Sequence, residues 1–322
     1  QAAIFSGLEK STNCMTINKV CGSGMKAIML ADQSIQLGQS NFIIAGGMES
    51  MSNTPHYLMN SRLGTKLGNI KQVDGMVHDG LWDVYNQVHM GNHGEACAEK
   101  YKITRKDQDE YAELSYKRSQ YAHNEGILNN EICDIIDDKG NKVDVVDEEP
   151  FRVDFEKLKQ LRSVFKKDGT ITAANASTIN DGAAMCLITS EDNASNLNIN
   201  PVARILDYAS FSHDPEWFTT APVSAIKKLL DQNNLSLNDI DLFEINEAFS
   251  VVSLVAIKEL NLDIEKVNVH GGAVSLGHPI GCSGTRIVMS LINALKIKGK
   301  KLGVAAICIG GGEATAMLIE NI

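Results

Sequence analysis

Seven cysteines are scattered along this 322-residue chain, and no two of them form a Cys-x-x-Cys pair. An odd, dispersed set argues against a disulfide framework and points to a reducing compartment with free thiols. It also lacks the ligand spacing of a zinc site. Basic residues are in deficit, 30 Lys and Arg against 40 Asp and Glu for a net charge of −10, which argues against a general nucleic-acid binder. No apolar run approaches the length of a membrane span. No signal or transit segment opens the chain. Residue 1 is Gln, and Gln1-Ala2-Ala3-Ile4-Phe5 reads as the middle of an element, so an N-terminal truncation is expected. The composition is otherwise ordinary, 43% apolar and 22% charged. The length suffices for two domains, or one large one, with a substantial core.

Against this background one stretch stands out, Ile17-Asn18-Lys19-Val20-Cys21-Gly22-Ser23-Gly24-Met25-Lys26. An apolar run, Met15 to Val20, has strand character. Met25 to Leu37 reads as a helix, with Met25, Ile28, Met29 and Ala31 near helical spacing. Cys21 would then sit at a strand-to-helix corner, where the helix N-terminus favours thiolate over thiol. The plainer alternative is a buried cysteine before an ordinary turn.

The rest of the chain reads as α/β with an insertion. Residues 1–50 hold a partial helix, the corner and a strand Asn41 to Ala45 ending at Gly46-Gly47. Residues 51–179 change character and read as a loop domain, with a polar helix Asp107 to His123 and an acidic stretch Asp134 to Glu149. Arg152, Lys157, Lys159, Arg162, Lys166 and Lys167 gather there, either as a polyanion site or as a solvated helix face. The small residues Gly169 to Ser177 lead to a strand, Ala183 to Ile188, that returns the chain to the first half (180–200). A second α/β unit spans 201–322. Ser23-Gly24-Met25-Lys26, helix, Gly38, strand, Gly46-Gly47 is echoed by Ser283-Gly284-Thr285-Arg286, helix, Gly299, strand, Gly310-Gly311-Gly312. Two such halves would pack their sheets through shared helices and bring both glycine corners to one site.

Cys21, Asn246, His278 and Cys308 then need one explanation. A histidine near a cysteine can take the thiol proton and make a nucleophile for acyl transfer. A second cysteine can act as acid or base on carbon when its pKa is tuned. Asn246 can hold a water or donate toward an oxyanion, and the N–H groups after Cys308, at Gly310, can do the same. Each feature alone also fits a structural role.

Val20-Cys21-Gly22-Ser23-Gly24, Asn246-Glu247-Ala248-Phe249, Gly277-His278-Pro279-Ile280-Gly281 and Cys308-Ile309-Gly310-Gly311-Gly312 resemble, in order, the four motifs of the thiolase family. The resemblance covers essentially the whole chain. It implies an α/β thiolase fold of two similar halves in a layered αβαβα arrangement, lacking the first strands of the N-terminal half. It also implies reversible thiolysis of acetoacetyl-CoA, equivalently condensation of two acetyl-CoA, through acetyl-Cys21. His89-Met90-Gly91 and Ala173-Ala174-Asn175-Ala176-Ser177 look like the acetoacetyl-CoA branch. A short acyl pocket under His89 and Met90, with Phe249 nearby, follows by resemblance. So does a coenzyme A track along Tyr116, Arg152, Val153, Asp154, Lys157 and Ser177. A potassium ion is implied at Tyr116, Ala173, Ala174, Ala176 and Val274, with no redox cofactor. The implied assembly is a homodimer or homotetramer, with acyl-CoA substrates and neither nucleic acid nor membrane as partner. The compartment is expected to be mitochondrial or cytosolic, the expected truncation leaving the choice between them open; Asn321-Ile322 is not a peroxisomal signal of the SKL kind. Glu313 departs from the family's small residue or methionine. Facing Cys308 it would raise that thiol's pKa; pointing outward it would do little. The alternatives are a 3-ketoacyl-CoA thiolase of broader chain length and a silent acyl-CoA-binding protein.

Overall fold

The computed structural model describes residues 1–64, 66–137, 139–143 and 146–322. Of the expected acidic stretch 134–149, residues 138, 144 and 145 therefore lie outside the described residues.

Six helices of eight or more residues carry the described architecture: α1 Ser23–Gln36, α2 Met90–Tyr101, α3 Arg105–Asn124, α4 Ala221–Gln232, α5 Ser250–Leu260 and α6 Ile280–Ile297. The strands that build the layers are β1 Phe42–Ser50, β2 Asp181–Thr189, β3 Ala203–Ser212, β4 Leu242–Ile245, β5 Leu302–Ile309 and β6 Glu313–Asn321. β1 pairs antiparallel with β2. The other four form one sheet in the order β4-β5-β6-β3, with β4 and β5 parallel.

The second sheet is buried on both faces, and the two-residue period of a strand divides its side chains between two cores. Ala305, Ile307, Met317 and Ile319 face α1 and α6, with Met25, Ile28, Ile287 and Leu291. Val304, Ala306, Cys308, Ala316 and Leu318 face the other way, onto α4 and α5. The helix pair α1/α6 thus lies between the two sheets. β1 reaches the same inner core through Ala45, while its other face exposes Phe42, Ile44 and Met48.

The repeat has a physical counterpart. A Cβ on Gly24 would lie 2.5 Å from Thr285 Oγ1, and one on Gly284 would lie 2.5 Å from the Met25 amide. The two corner glycines therefore meet each other's helices reciprocally, and α1 and α6 cross at backbone contact. Each is followed by a strand and then an antiparallel partner. β5 reaches β6 through Gly310 to Gly312, whereas β1 reaches β2 only after residues 51–180.

Local expectations differ from the structure in three places. Residues 15–19 form no strand, and a 3-10 turn, Val20–Gly22, follows them. A strand needs a hydrogen-bonding neighbour, and this segment has none among the described residues. β1 runs through Gly46 and Gly47 to Ser50 instead of ending there. These residues are glycine for packing, since a Cβ on Gly47 would collide with the Gly281 carbonyl. The basic segment is no continuous helix. It holds two single turns, Glu149–Arg152 and Phe155–Leu158, and irregular chain.

Candidate active site

Cys21 lies in a strained turn. Val20 adopts φ 49°, a left-handed conformation that is an outlier for a β-branched residue. The turn is held shut by Ser23: its hydroxyl accepts from the Lys19 N–H (2.8 Å) and donates to the Val20 carbonyl (2.7 Å). Lys19 is anchored in turn by an ion pair with Glu313. Glu313 therefore points to Lys19, and it is not among the groups that shift Cys308. Gly22 is buried, and a Cβ there would lie 2.5 Å from Ile309 Cδ1. The nucleophile turn thus seats directly on the end of β5.

The expectation of a thiolate at the helix start is corrected. The Gly310 N–H and Cys21's own N–H both favour the anion, but burial outweighs them and pushes the thiol up to about 11. Cys308 is fully buried, and burial followed by the Cys21 charge holds it well above the usual thiol range. Both thiols are protonated at rest.

His278 follows Gly277, whose φ is 94°, and is 7% exposed. Its tautomer is legible from the hydrogen bonds. Ser283 Oγ donates to the Pro279 carbonyl at 2.9 Å, so it accepts from His278 Nδ1–H at 2.5 Å. Nε2 is left as the unprotonated nitrogen, buried and without a protein partner among the described residues. Burial, then the Arg286 charge, lowers the imidazole to about 3. It is a neutral base. Asn246, at the end of β4, is equally buried. Its Oδ1 faces Arg286 Nη2 at 3.5 Å, and its Nδ2 has no partner among the described residues.

The residues expected to line an acyl pocket pack along one wall with Phe165. Met90 covers Gly310, with its Cε 2.9 Å from where a Cβ would be. His89 stacks on Phe165 at 4.7 Å, and Phe165 meets Phe249 edge-on at 6.1 Å. His89 Nδ1 accepts from the Gly91 N–H at 3.1 Å, so it caps α2 as a neutral ring. Phe165 escaped the sequence reading because it sits among lysines. Its signal was Gly91, where any Cβ would overlap the Phe165 ring. Segment 175–177 runs beside 248–250: Ser177 donates through N–H and Oγ to the Ala248 carbonyl at 3.1 and 3.0 Å.

Along the expected coenzyme A track, Arg152 pairs with Glu148 and Glu149, and Lys157 with Asp154. Asp154 also caps the Phe155–Leu158 turn. Exposed pairs of this kind are worth about 0–1 kcal/mol, so an incoming phosphate can exchange them. Tyr116, Val274 and Ala174 pack in one cluster with Val153, whereas Ala173 is exposed and Ala176 belongs to the larger core.

Sequence reading quoted Glu247 but gave it no task. It is the buried knot behind the site. Oε1 accepts from Tyr111 Oη and Asn268 Nδ2, both at 2.8 Å, and Oε2 from Ser115 Oγ at 2.7 Å and the Val274 N–H at 3.0 Å. These four bonds tie α3 to the segment that carries Asn246 and to the approach to His278.

Two α/β halves related by a repeat, joined across reciprocal glycines and meeting at two thiols, define an architecture that comparison with known proteins identifies. The chain belongs to the thiolase family: residues 1–192 match "Thiolase, N-terminal domain" and residues 199–321 match "Thiolase, C-terminal domain". It is 52% identical to a Bos taurus protein named "Acetyl-CoA acetyltransferase, mitochondrial", over 100% of this chain and 76% of that one. Among solved structures it resembles Acat5 thiolase from Ascaris suum in complex with coenzyme A, with TM-score 0.93 and 46% identity over 99% of this chain and 82% of that one. It also resembles human mitochondrial 3-ketoacyl-CoA thiolase, with TM-score 0.93 and 41% identity over 99% of this chain and 82% of that one.

Proposed function

We propose that the protein is an acetyl-CoA C-acetyltransferase that forms and cleaves acetoacetyl-CoA through acetyl-Cys21. The observation that carries this is a pair of buried nitrogens without partners among the described residues, the unprotonated Nε2 of His278 and the donor Nδ2 of Asn246. Two backbone N–H groups, of Cys21 and Gly310, act on the Cys21 sulfur.

In thiolysis His278 Nε2 takes the Cys21 proton as Sγ attacks the 3-keto carbon. With the thiol near 11 and the imidazole near 3, proton transfer accompanies C–S bond formation instead of preceding it. The N–H groups of Cys21 and Gly310 stabilise the oxyanion, each donor being worth about 3 kcal/mol in the barrier. The carbon–carbon bond then breaks, and the acetyl-CoA enolate takes a proton from Cys308. Its oxygen is held by His278 and a water on Asn246. Coenzyme A thiol gives its proton to the Cys308 thiolate and attacks the acetyl carbon, and the departing Cys21 recovers its proton from His278. In synthesis Cys308 first gives its proton to the coenzyme A thiolate that leaves on acetylation of Cys21; as a thiolate it then takes a proton from the methyl group of the second acetyl-CoA, and the carbanion attacks the acyl-enzyme and displaces Cys21.

Coenzyme A lies along Tyr116, Val153, Asp154 and Ser177, with Arg152 and Lys157 toward its phosphates. His89, Met90 and Phe249 close the acyl end, which favours a short chain. Tyr116, Ala173, Ala174, Ala176 and Val274 offer a hydroxyl and backbone carbonyls. Burial keeps the Tyr116 hydroxyl neutral, its pKa about 12, and neutral oxygens suit a large monovalent cation. Potassium there would order the loop beside coenzyme A. Residues 1–50 with 180–200, 51–179 and 201–322 act as two halves and a covering loop domain. The protein assembles as a homodimer or homotetramer in mitochondria or cytosol.

Intact mass and peptide mapping after incubation with acetoacetyl-CoA test the reading. An acetyl group on Cys21, cleared by coenzyme A, is expected. Cys308→Ala should keep that adduct and lose condensation. Comparable activity on a ten-carbon ketoacyl-CoA would favour the broader-chain alternative. Coenzyme A binding by folded protein without acyl transfer would overturn the proposal.

A further inference from the structure

The Asn246 carboxamide is useful only one way round. Its Nδ2 must face the reacting oxygen or its water, and nothing in an isolated Asn prefers that rotamer to the flipped one. The structure supplies a preference. Glu244 and Asn246 are two residues apart at the end of β4, so both side chains lie on one face. Across that face stands Arg286 on α6. Its Nη1 is 3.3 Å from Glu244 Oε1 and its Nη2 is 3.5 Å from Asn246 Oδ1. Glu244 is buried, its side chain 4% exposed, and the Arg286 side chain is 19% exposed. A guanidinium only donates. Flipping the amide would set NH₂ against a cation in a buried place, so Oδ1 is kept on Arg286 and Nδ2 is sent the other way. The Asn246 N–H is fixed to the Ala306 carbonyl at 2.9 Å, which removes backbone freedom from the same residue.

We infer that Arg286, aimed by Glu244, is a positioning residue that locks the Asn246 amide with its N–H₂ toward the enolate side of the site. The inference rests on the proposed reading of that side. It separates two half-reactions. Acetylation of Cys21 uses the backbone N–H groups of Cys21 and Gly310, which Arg286 does not touch, and His278, which Arg286 affects through its charge alone; condensation also uses Asn246. A purely structural role for the ion pair would slow both.

The test is R286K, which keeps a cation against Glu244 but lacks the second nitrogen that reaches Asn246. Single-turnover acetylation of Cys21 by acetyl-CoA should stay within about twofold of the native rate. The kcat for condensation should fall about tenfold or more, an appreciable part of what one oxyanion donor gives, with KM within about twofold. In an Asn246→Ala background R286K should cause no further loss, because the group it positions is gone. If R286K does not fold, the double variant E244Q/R286M, which removes the guanidinium and its acidic partner and also the charge acting on His278, should still lose about tenfold or more in condensation relative to acetylation. Parallel losses in both half-reactions, losses that multiply with Asn246→Ala, or native condensation in R286K each overturn the inference. So does failure of both variants to fold, which would make the pair structural. Native condensation by Asn246→Ala alone would remove the reading of Asn246 and the inference with it, while acetylation of Cys21 would leave the rest of the proposed function standing.

Discussion

Glu247→Gln changes one atom type at the centre of four hydrogen bonds, and the cost can be worked out from their geometry. Each carboxylate oxygen takes two donors: Tyr111 Oη and Asn268 Nδ2 on Oε1, Ser115 Oγ and the Val274 N–H on Oε2. Glutamine has one such oxygen. The hydroxyls of Tyr111 and Ser115 can turn and accept from the new NH₂. The two nitrogens cannot. The Val274 N–H is fixed by the backbone, and the Asn268 amide is fixed because its Oδ1 accepts from the Ile245 N–H at 2.7 Å. One way round the Val274 N–H loses its acceptor; the other way round Asn268 Nδ2 keeps the Ile245 carbonyl at 2.8 Å and Tyr111 Oη at 3.1 Å, and a glutamine N–H facing it is the one left without an acceptor. An unsatisfied buried donor costs about 1–3 kcal/mol, and the remaining bonds lose the strength a charged acceptor gives. About 3 kcal/mol of destabilisation is expected, or about 5 °C in the thermal midpoint for a chain of this size. Urea unfolding at constant slope measures it. Condensation should suffer beyond the stability loss, because the knot holds the neighbour of Asn246. A Glu247→Gln protein within about 0.5 kcal/mol of native by this measure would refute the account, since ordinary surface substitutions do no more.

Three further outcomes are expected. Ser283→Ala removes the acceptor that fixes the His278 tautomer and should lower kcat about 10- to 100-fold, with Tm lower by about 2–5 °C because the buried Nδ1–H is left unpaired; an unaffected kcat would mean that burial alone orients the ring. Gly24→Ala places a methyl 2.5 Å from Thr285 Oγ1 and 2.8 Å from the Thr285 amide. Forcing α1 from α6 should cost about 2 kcal/mol or more, read as a drop in the urea midpoint. His278 and His270 are buried with imidazole values lowered to about 3 and about 4. Their unfolded values lie near 6.5, so below that pH the unfolded chain binds protons the native state refuses. Stability should be full above about pH 6.5 and fall as pH drops, by about 2 kcal/mol per histidine at pH 5. His278→Gln should remove one of the two contributions, and an unchanged pH dependence in that variant would refute this.

The legible parts of this molecule were those where one residue type answers to one constraint. The corner glycines could be read as a repeat, and their reciprocal contact across α1 and α6 explains why both are glycine. Cys21, Asn246, His278 and Cys308 could be singled out in the sequence because few residue types suit the chemistry proposed for them. The strand before Cys21 was misread because apolar character cannot supply a hydrogen-bonding neighbour. The Cys21 thiolate was misread for a related reason: the helix start is a local feature, but burial depends on Ile309 and the β5 end, far along the chain. Glu247 and Arg286 carried no spacing signal. Their roles come from partners 132 residues away in one case, Ser115, and 40 in the other, Asn246.

The strain at Val20 follows from the same architecture. A left-handed valine costs of order 1–3 kcal/mol and persists only where its surroundings over-determine it. Here Ser23 closes the turn from inside, and Lys19 fastens it to Glu313 at the start of β6. The same turn presses Gly22 onto Ile309. The sulfur is thereby set against the Gly310 N–H, which belongs to the other half of the repeat. In the proposed mechanism the nucleophile and one donor of its oxyanion site thus come from different halves, and the turn that joins them is held from both. Removing the Lys19–Glu313 tie by Glu313→Ala frees only the outer fastening. Being a partly exposed pair it should cost about 1 kcal/mol or less in stability. The acetylation rate of Cys21 should nevertheless fall several-fold, because a small shift of the turn misplaces the attacking sulfur relative to the Gly310 N–H. Equal acetylation rates in the native and Glu313→Ala proteins would mean that Ser23 and the Gly22–Ile309 contact hold the turn without help.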